Sequence, residues 1–530
     1  MLCLNRRLGW GIVAEVQEDR LASIGSVLDR TLEIEPAREA LVASNGRLTY
    51  EQLDTMVDRA AGALSGAGIG EGDVVGVSLP NEIEVVVTFY AAARVGALWL
   101  GVNRSLAVPE KSFILGDAGA SVLIADEAIA EAMAGTGDLA VRIIPAREWE
   151  ERVAAGGSYA RADRALHDPA GIAYTSGTTG RPKGVVHSER NLLLPGAVLA
   201  QARGFDSTLR RGDCAALTIL NLQVTSTLLA AQAGGTQVVM DRVDAPGIAQ
   251  WVRDERITSW FGVPTMLRDL ALSTEVDVND LATLEDVWTG GTYCPRLVRE
   301  EFEGRFGRRV HATYGMTEVP TVVTIEPRDE PAVEGSSGKA LPHLVVEILD
   351  DEGGVLPPGQ VGQVTVRAAN EGAWAGAYTP MLGYRGAQHS VGDAVVAGSL
   401  RTGDIGELDT GGNLYIRDRL SSLILRGGAN VYPAEVERVL LTVPGVAGAA
   451  VVGIADDRLG QRVAAAIEVA PGAEVSTEVL RDRCAEELAR YKVPERWQIG
   501  TLPRNAMGKV VRPEIERWFD GDPVGPTGPS

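Results

Sequence analysis

The sequence is poor in cysteine: four residues in 530, at Cys3, Cys214, Cys294 and Cys484, with no C-x-x-C pair. That spacing excludes a disulfide framework and fits a reducing compartment, so a cytoplasmic protein is expected. Histidine is also scarce for a chain of this length, with five residues and no H-E-x-x-H, which removes the usual zinc-enzyme signature. No apolar run reaches the ~18 residues of a membrane span. An excess of positive charge is also missing. The formal net charge of −21 argues against nucleic acid or an anionic membrane as the main partner. Any anion bound by this chain must be held by a local site against an unfavourable overall field. The N-terminal MLCLNRRLGWGIVAEVQEDR has two arginines and a short apolar stretch, but Glu15 interrupts it, and no signal peptide is expected. No internal repeat is present.

What the chain does have is YTSGTTGRPKG at 174–184. Thr175, Ser176, Thr178, Thr179 and Lys183 place hydroxyls and a cation in one short loop. Gly177, Gly180 and Gly184 allow positive φ, so backbone amides can converge on an anion. A flexible polar surface loop is the alternative for such compositions. Two features favour a polyphosphate cradle: GIAY (171–174) reads as a strand end, and VVHSERNLLL (185–194) reads as a helix start. A Walker A loop is excluded, because Pro182 precedes the lysine and Gly184 follows it, where G-x-x-x-x-G-K-[ST] is required.

A length of 530 residues calls for at least two domains. VVGVSL (74–79) and SVLIAD (121–126) read as buried strands, with a helix-like stretch between them at 82–97. Such alternation indicates α/β layers with largely parallel sheets. The stretch 344–368 shows short β runs split by Gly/Pro turns, which suggests a smaller β-rich unit. From about residue 420 the pattern becomes one helix, two strands and then an amphipathic helix over 477–491, an α+β domain of roughly 100 residues. The expected division is 1–419, 420–520 and a Gly/Pro-rich disordered tail at 521–530.

Further motifs follow in order. YGMTE (314–318) brings a ring, a hydroxyl and a carboxylate after the strand-like RRVHAT; alone, it also fits a turn with a core tyrosine. LRTGDIGELDTGGNLYIRDR (400–419) supplies Asp404 after a TGD turn, and Arg419. A carboxylate accepts both hydroxyls of a ribose, although a lone Asp in a turn also serves as an Asx cap. ILRGGANVYPAEVE (424–437) and LPRNAMGKVVR (502–512) add Gly-rich turns and Lys509. Taken in sequence from LTYEQLD (48–54) to GKVVR (508–512), these segments resemble the adenylate-forming enzymes, the family of acyl-CoA synthetases, nonribosomal adenylation domains and luciferases. FGVPTML (261–267), with no fused carrier or condensation region, is similar to a stand-alone acyl-CoA ligase.

The resemblance implies a large N-terminal α/β domain with layered sheets and a β-rich subdomain, and a small, mobile α+β C-terminal domain. It implies ATP, Mg²⁺ and coenzyme A, a small-molecule carboxylic acid as partner, and leaves a homodimer open. By motif, Thr175, Ser176, Gly177, Thr178, Thr179, Gly180 and Lys183 would hold the β- and γ-phosphates. Thr317 would contact the α-phosphate and Glu318 would place Mg²⁺. Tyr314, followed by Gly315, would stack on adenine opposite Gly290, Gly291 and Thr292. Asp404, assisted by Arg419, would grip the ribose. Lys509 would serve the first half-reaction, after which the small domain would swing at Ser421 and present the Gly427–Gly428 face to the thiol.

Several positions depart from the family pattern. Ala312 stands where relatives carry Asn or Gln for the adenine amino group, Ser421–Ser422 replaces the usual charged hinge, and Ala429 replaces the glutamate of GGEN. LTILNLQVTSTLLAAQAGG (217–235) stands in place of the family's P-x-F-H stretch, with Asn221, Gln223 and Thr225 as candidate acyl-pocket residues. Loss of the aromatic and the histidine there suggests a bulky acid, polycyclic or branched. The alternatives are an enzyme performing only the thiolation half, and a ligase whose acceptor is a carrier protein.

Overall fold

Runs of β-branched and aliphatic residues alternate with helices along most of the chain, and the strands they form pair in parallel through the middle of the two largest sheets and mostly antiparallel elsewhere. The structure is a computed structural model and describes residues 23–136, 140–175, 182–320, 322–385, 395–396, 398–426, 429–456, 458–504 and 509–519. The elements that carry the functional residues are, in chain order, strand β1 (Pro169–Thr175), strand β2 (Lys183–Ser188), helix α1 (Glu189–Arg203), strand β3 (Asp286–Thr289), helix α2 (Arg296–Phe306), strand β4 (Val310–Tyr314), strand β5 (Thr324–Ile325), strand β6 (Gly383–Tyr384), strand β7 (Ser399–Leu408) and strand β8 (Leu414–Arg419).

Among the described residues, a seven-stranded sheet runs in the order β6, β2, β1, Leu98–Gly101, Val74–Ser78, Val122–Ala125, Arg142–Pro145. It is parallel from β1 onward and antiparallel across β1–β2 and β2–β6. A nine-stranded sheet runs Lys339–Ala340, β5, β4, β3, Ser259–Phe261, Arg210–Asp213, Thr236–Val239, Glu39–Ala43, Gly46–Thr49. Its central strands are parallel and both ends antiparallel. Val75, Val77, Leu123 and Ile124 are fully buried, as strands covered on both faces must be. The expected strands at 74–79 and 121–126 are present as Val74–Ser78 and Val122–Ala125, and the helix between them runs Ile83–Arg94. A five-stranded sheet of Leu344–Leu349, Gly362–Ala368, β7, Val395–Val396 and β8 forms the β-rich part.

The chain divides into two compact units. The first takes the described residues of Met1–Glu347, Thr365–Thr402 and Asp409–Leu414, and the second those of Ile348–Val364, Gly403–Leu408 and Tyr415–Ser530. In the second, strands Ala429–Val431, Ile424–Arg426, Gly460–Val469 and Val446–Asp456 form a sheet, with Arg496–Ile499 beside Gly460–Val469. Successive residues of Gly460–Val469 serve opposite cores. Val463, Ala465 and Ile467 pack with Val436, Leu440 and Leu480, whereas Ala464 and Ala466 pack with Ile515 and Phe519. The strand period of two thus lets helices cover both faces. The expected α/β fold with a small α+β C-terminal domain is what the chain adopts. The proposed tail at 521–530 lies outside the described residues.

Candidate active site

The segment 185–194 starts as strand, not helix. β2 runs to Ser188, and α1 begins only at Glu189. Val185 and Val186 favour the extended backbone, and the helix start is set by Ser188, whose hydroxyl accepts from the Asn191 N–H at 3.2 Å. Asn191 Oδ1 accepts in return from the Ser188 N–H at 3.2 Å, which completes a capping box. The candidate phosphate segment therefore joins antiparallel β1 and β2, which pair with Thr175 opposite Lys183 and Tyr174 opposite Gly184. Gly184 has to be glycine: a Cβ there would stand 2.8 Å from Cζ of Tyr174. Ser176, Gly177, Thr178, Thr179 and Gly180 lie outside the described residues.

Three groups meet at the Lys183 end of β2. Lys183 Nζ lies 5.5 Å from the centre of the Tyr384 ring, and the Tyr384 hydroxyl lies 3.4 Å from Oε1 of Glu318. Four residues further along β2, His187 is fully buried and its Nε2 is 2.8 Å from the carbonyl oxygen of Thr317. Burial pushes the His187 imidazole down to about 4. It is therefore neutral near pH 7, and because a carbonyl only accepts, Nε2 carries the proton and donates. His187 thus ties β2 to the YGMTE segment by a bond that spans 130 residues of sequence. Lys183 and Glu318 were expected at the site from the sequence; His187 and Tyr384 were not.

The candidate adenine side is built at the carboxyl ends of β3 and β4. Thr289 of β3 stands opposite Ala312 of β4, which places the 290–292 loop beside Tyr314. The Thr313 hydroxyl donates to the Thr289 carbonyl at 3.0 Å. A Cβ on Gly290 would sit 2.3 Å from that hydroxyl, so glycine is required for the close approach. Gly291 has φ +81°, and it and Thr292 are exposed. Tyr314 and Ala312 are half-buried, Gly315 exposed. Ala312 is held by one residue, Glu326, which follows β5. The Glu326 N–H donates to the Ala312 carbonyl at 3.0 Å, and its carboxylate accepts from the Ala312 N–H at 2.9 Å. Arg299 of α2 anchors that carboxylate at 2.8 and 3.1 Å.

In the second unit, Asp404 and Arg419 come together on paired strands β7 and β8, with Arg419 Nε 3.4 Å from Oδ1 of Asp404. The TGD segment is not a turn: it lies inside the ten-residue β7. Gly403 takes φ +76° within the strand, a kink that a side chain would oppose. Lys509 is exposed and precedes Val510, which bridges Arg504. Gly427 and Gly428 lie outside the described residues, and Ser421 lies in the short 3-10 turn Leu420–Ser422. Asn221 is half-buried in the short helical turn Leu220–Leu222. Gln223 is fully buried, its amide donating to the Leu217 carbonyl and accepting from the Thr227 hydroxyl, while the Thr225 hydroxyl donates to the Asn221 carbonyl. Both lie in a π-helical segment, Gln223–Leu228.

Glu189, the first residue of α1, is a buried carboxylate that the sequence did not single out. Its Oε2 accepts from the Ile24 N–H at 2.8 Å. Burial raises its pKa to about 7. Between the ordinary value near 4.5 and about 7 the folded chain holds a proton that the unfolded chain releases, so stability falls as pH rises through that window. Glu189→Gln is expected to match wild type in melting temperature near pH 4.5 and to exceed it above pH 7, by up to about 3 kcal/mol of stability. Thermal melts of both proteins across this range check it; parallel profiles would remove Glu189 as the source.

Residues 28–373 match the AMP-binding enzyme family, and residues 435–509 match the AMP-binding enzyme C-terminal domain. The long-chain-fatty-acid–CoA ligase FadD13 of Mycobacterium tuberculosis is 32% identical over 522 residues, covering 94% of this chain and 99% of that protein. The fatty acid–[acyl-carrier-protein] ligase ScoC of Streptomyces coeruleorubidus is 34% identical over 509 residues, covering 92% and 95%. Among solved structures, the o-succinylbenzoate CoA synthetase MenE of Bacillus subtilis, in complex with the acyl-adenylate intermediate OSB-AMP, superposes with a TM-score of 0.82 at 28% identity, covering 93% of this chain and 98% of that one. The chain belongs to the AMP-binding enzyme family, in its acyl-CoA ligase branch. Its activity is that of an ATP-dependent, AMP-forming acid–CoA ligase, with a carboxylic acid, ATP and coenzyme A as substrates. No helix among the described residues is long and apolar enough to cross a membrane.

Proposed function

We propose that this ligase activates a bulky carboxylic acid, ring-bearing or branched, with the residues named above in definite roles. The observation that carries the reading is the convergence of Lys183, Tyr384 and Glu318 beside the His187–Thr317 bond. A cation, a carboxylate and a fixed hydroxyl-bearing segment are what a magnesium–triphosphate requires. In the first half-reaction the acid's carboxylate attacks the α-phosphate and pyrophosphate leaves. In the second the thiol of coenzyme A attacks the mixed anhydride and AMP leaves. Adenylation replaces oxide, a very poor leaving group, with a phosphate.

Lys183 and the hydroxyls from Thr175 to Thr179 hold the β- and γ-phosphates. Thr317 meets the α-phosphate, and Tyr314 with residues 290–292 encloses adenine. Asp404 and Arg419 hold the ribose, and Lys509 serves adenylation. Among the described residues no three His, Cys, Asp or Glu side chains gather to hold a metal ion. Glu318 offers one hard carboxylate, which suits Mg²⁺ sharing phosphate oxygens; when bound, the ion neutralises phosphate charge. Asn221 lines the acyl pocket, and Gln223 and Thr225 support its wall from within. The small domain, 420–520, turns at Ser421 between the half-reactions. Over that domain acidic and basic residues nearly balance, so the polyanionic substrates meet little of the net charge of −21 there. The enzyme acts in the cytoplasm, and a homodimer is compatible with the reading.

Pyrophosphate release and thioester formation, measured separately over a panel of aliphatic, aryl and polycyclic acids with coenzyme A or a carrier protein as acceptor, test this. Both products with ring-bearing or branched acids and coenzyme A are expected. Turnover confined to straight-chain acids would overturn the acid class, and thioester without pyrophosphate would overturn adenylation. Ala312→Asn adds an amide where adenine presents an amino group and a ring nitrogen. With the Ala312 backbone fixed by Glu326, the gain should be one hydrogen bond. KM for ATP should fall about fivefold, or about 1 kcal/mol, with KM for the acid unchanged. No change in either would show that adenine is read elsewhere.

A further inference from the structure

We propose that Tyr384 is a positioning residue that sets Lys183 and Glu318 for the magnesium–nucleotide, its ring acting on the lysine and its hydroxyl on the glutamate. The inference rests on the assignment of Lys183 to the phosphates and Glu318 to Mg²⁺. Lys183 and Glu318 come from segments separated by more than a hundred residues, and Tyr384 touches both. A lysine stem has four rotatable bonds, and an aromatic face within about 6 Å of the ammonium restrains it by electrostatic attraction to the ring. A carboxylate that accepts a hydroxyl on Oε1 keeps Oε2 free for a cation, with its plane fixed.

The backbone beneath Tyr384 is fixed. Gly383 and Tyr384 pair with Val186 and Val185 of β2. The Leu382 N–H donates to the Val186 carbonyl at 2.9 Å and the Arg385 N–H to the Gly184 carbonyl at 2.7 Å. The Arg385 guanidinium donates to the Ala118 carbonyl at 2.7 and 3.0 Å, which clamps the strand on its far side. The ring position is thus set by the same strand that carries Lys183. A phenolic hydroxyl donates where a carboxylate only accepts, which sets the direction of the contact with Glu318. Tyrosine is the side chain that supplies ring and donor together. Phenylalanine would keep the first and lose the second, and leucine would lose both.

Calorimetric binding of a non-hydrolysable ATP analogue to the full-length enzyme, with Mg²⁺ and with EDTA, separates the two contacts. Tyr384→Phe is expected to bind the metal-free analogue within about twofold of wild type and to lose about fivefold of the affinity gained from Mg²⁺. Tyr384→Leu is expected to lose about fivefold in EDTA as well, because Lys183 is released. In a Glu318→Gln background, Tyr384→Phe should add nothing further to the Mg²⁺ effect, an outcome that general loosening of the fold would not give. A Tyr384→Phe enzyme equal to wild type under both conditions, or effects fully additive with Glu318→Gln, would overturn the proposal. The single variants Lys183→Ala and Glu318→Gln locate the failure. If neither changes binding, the phosphate and metal assignments fall with it; if both do and the Tyr384 variants do not, only the role of Tyr384 falls.

Discussion

Lys509→Ala is expected to lower pyrophosphate release about 100-fold or more while leaving thiolation of a synthetic acyl-adenylate within about threefold of wild type. During adenylation negative charge builds on the oxygens between the incoming carboxylate and the α-phosphate, and a positioned ammonium offsets it. In thiolation the acyl carbon is already activated, and that charge does not have to be assembled. The local structure supports a removable cation. Lys509 is exposed, and the backbone that follows it is anchored: Val510 bridges Arg504, and the Val511 N–H donates to the Pro503 carbonyl at 2.9 Å. Arg504 is in turn paired with Glu468 at 2.8 Å. Truncating the lysine removes charge and leaves those backbone contacts in place, and a melting temperature taken beside the rates separates loss of the cation from loss of stability. Equal loss of the two half-reactions would make Lys509 a structural residue, or show that its ammonium serves both steps.

Much of the architecture was legible because it rests on local periodicity. Mostly apolar runs such as Val74–Ser78 and Val122–Ala125 need burial on both faces, which a covered parallel sheet provides. Candidate site residues were legible where short motifs resemble those of the family: the 174–184 segment also has an anion-binding composition of its own, whereas Thr317 and Glu318 were marked only by the resemblance of YGMTE. What the sequence hid lies in contacts between distant segments. His187 is one of five histidines with no neighbour in sequence to mark it, and its bond to Thr317 exists only once β2 lies beside the YGMTE segment. Tyr384 occupies a two-residue strand, too short to show any period. Two misreadings were local. VVHS has the β-branched residues of a strand, and the helix signal belongs to the Ser188–Asn191 box that follows it. TGD reads as a turn because Gly usually punctuates, but here Gly403 kinks a continuing strand. Gln223 shows a third kind of limit: the Leu217 carbonyl and the Thr227 hydroxyl that meet its buried amide come from the same stretch, and residue type alone does not announce those contacts.

Asp404→Ala is expected to weaken both half-reactions, because the ribose has to be held in each. A hydrogen bond to a charged group is worth about 1.5–3 kcal/mol, so affinity for ATP, AMP and the acyl-adenylate should each fall at least about tenfold. The surroundings of the residue make this a clean test. Asp404 is 5% exposed, and the kink at Gly403 immediately precedes it in β7. Arg419, whose Nε is 3.4 Å from Oδ1, has a side chain that is 59% exposed. Without Asp404 that guanidinium remains hydrated, so the substitution leaves no buried cation uncompensated. Melting temperature measured beside nucleotide affinity separates loss of the ribose contact from a general loss of stability. Asp404→Asn keeps the shape and one acceptor but not the charge, and it should fall between wild type and Asp404→Ala in both half-reactions. If the alanine variant binds AMP as tightly as wild type, the Asp404–Arg419 contact belongs to the sheet alone, and the ribose must be held by other residues.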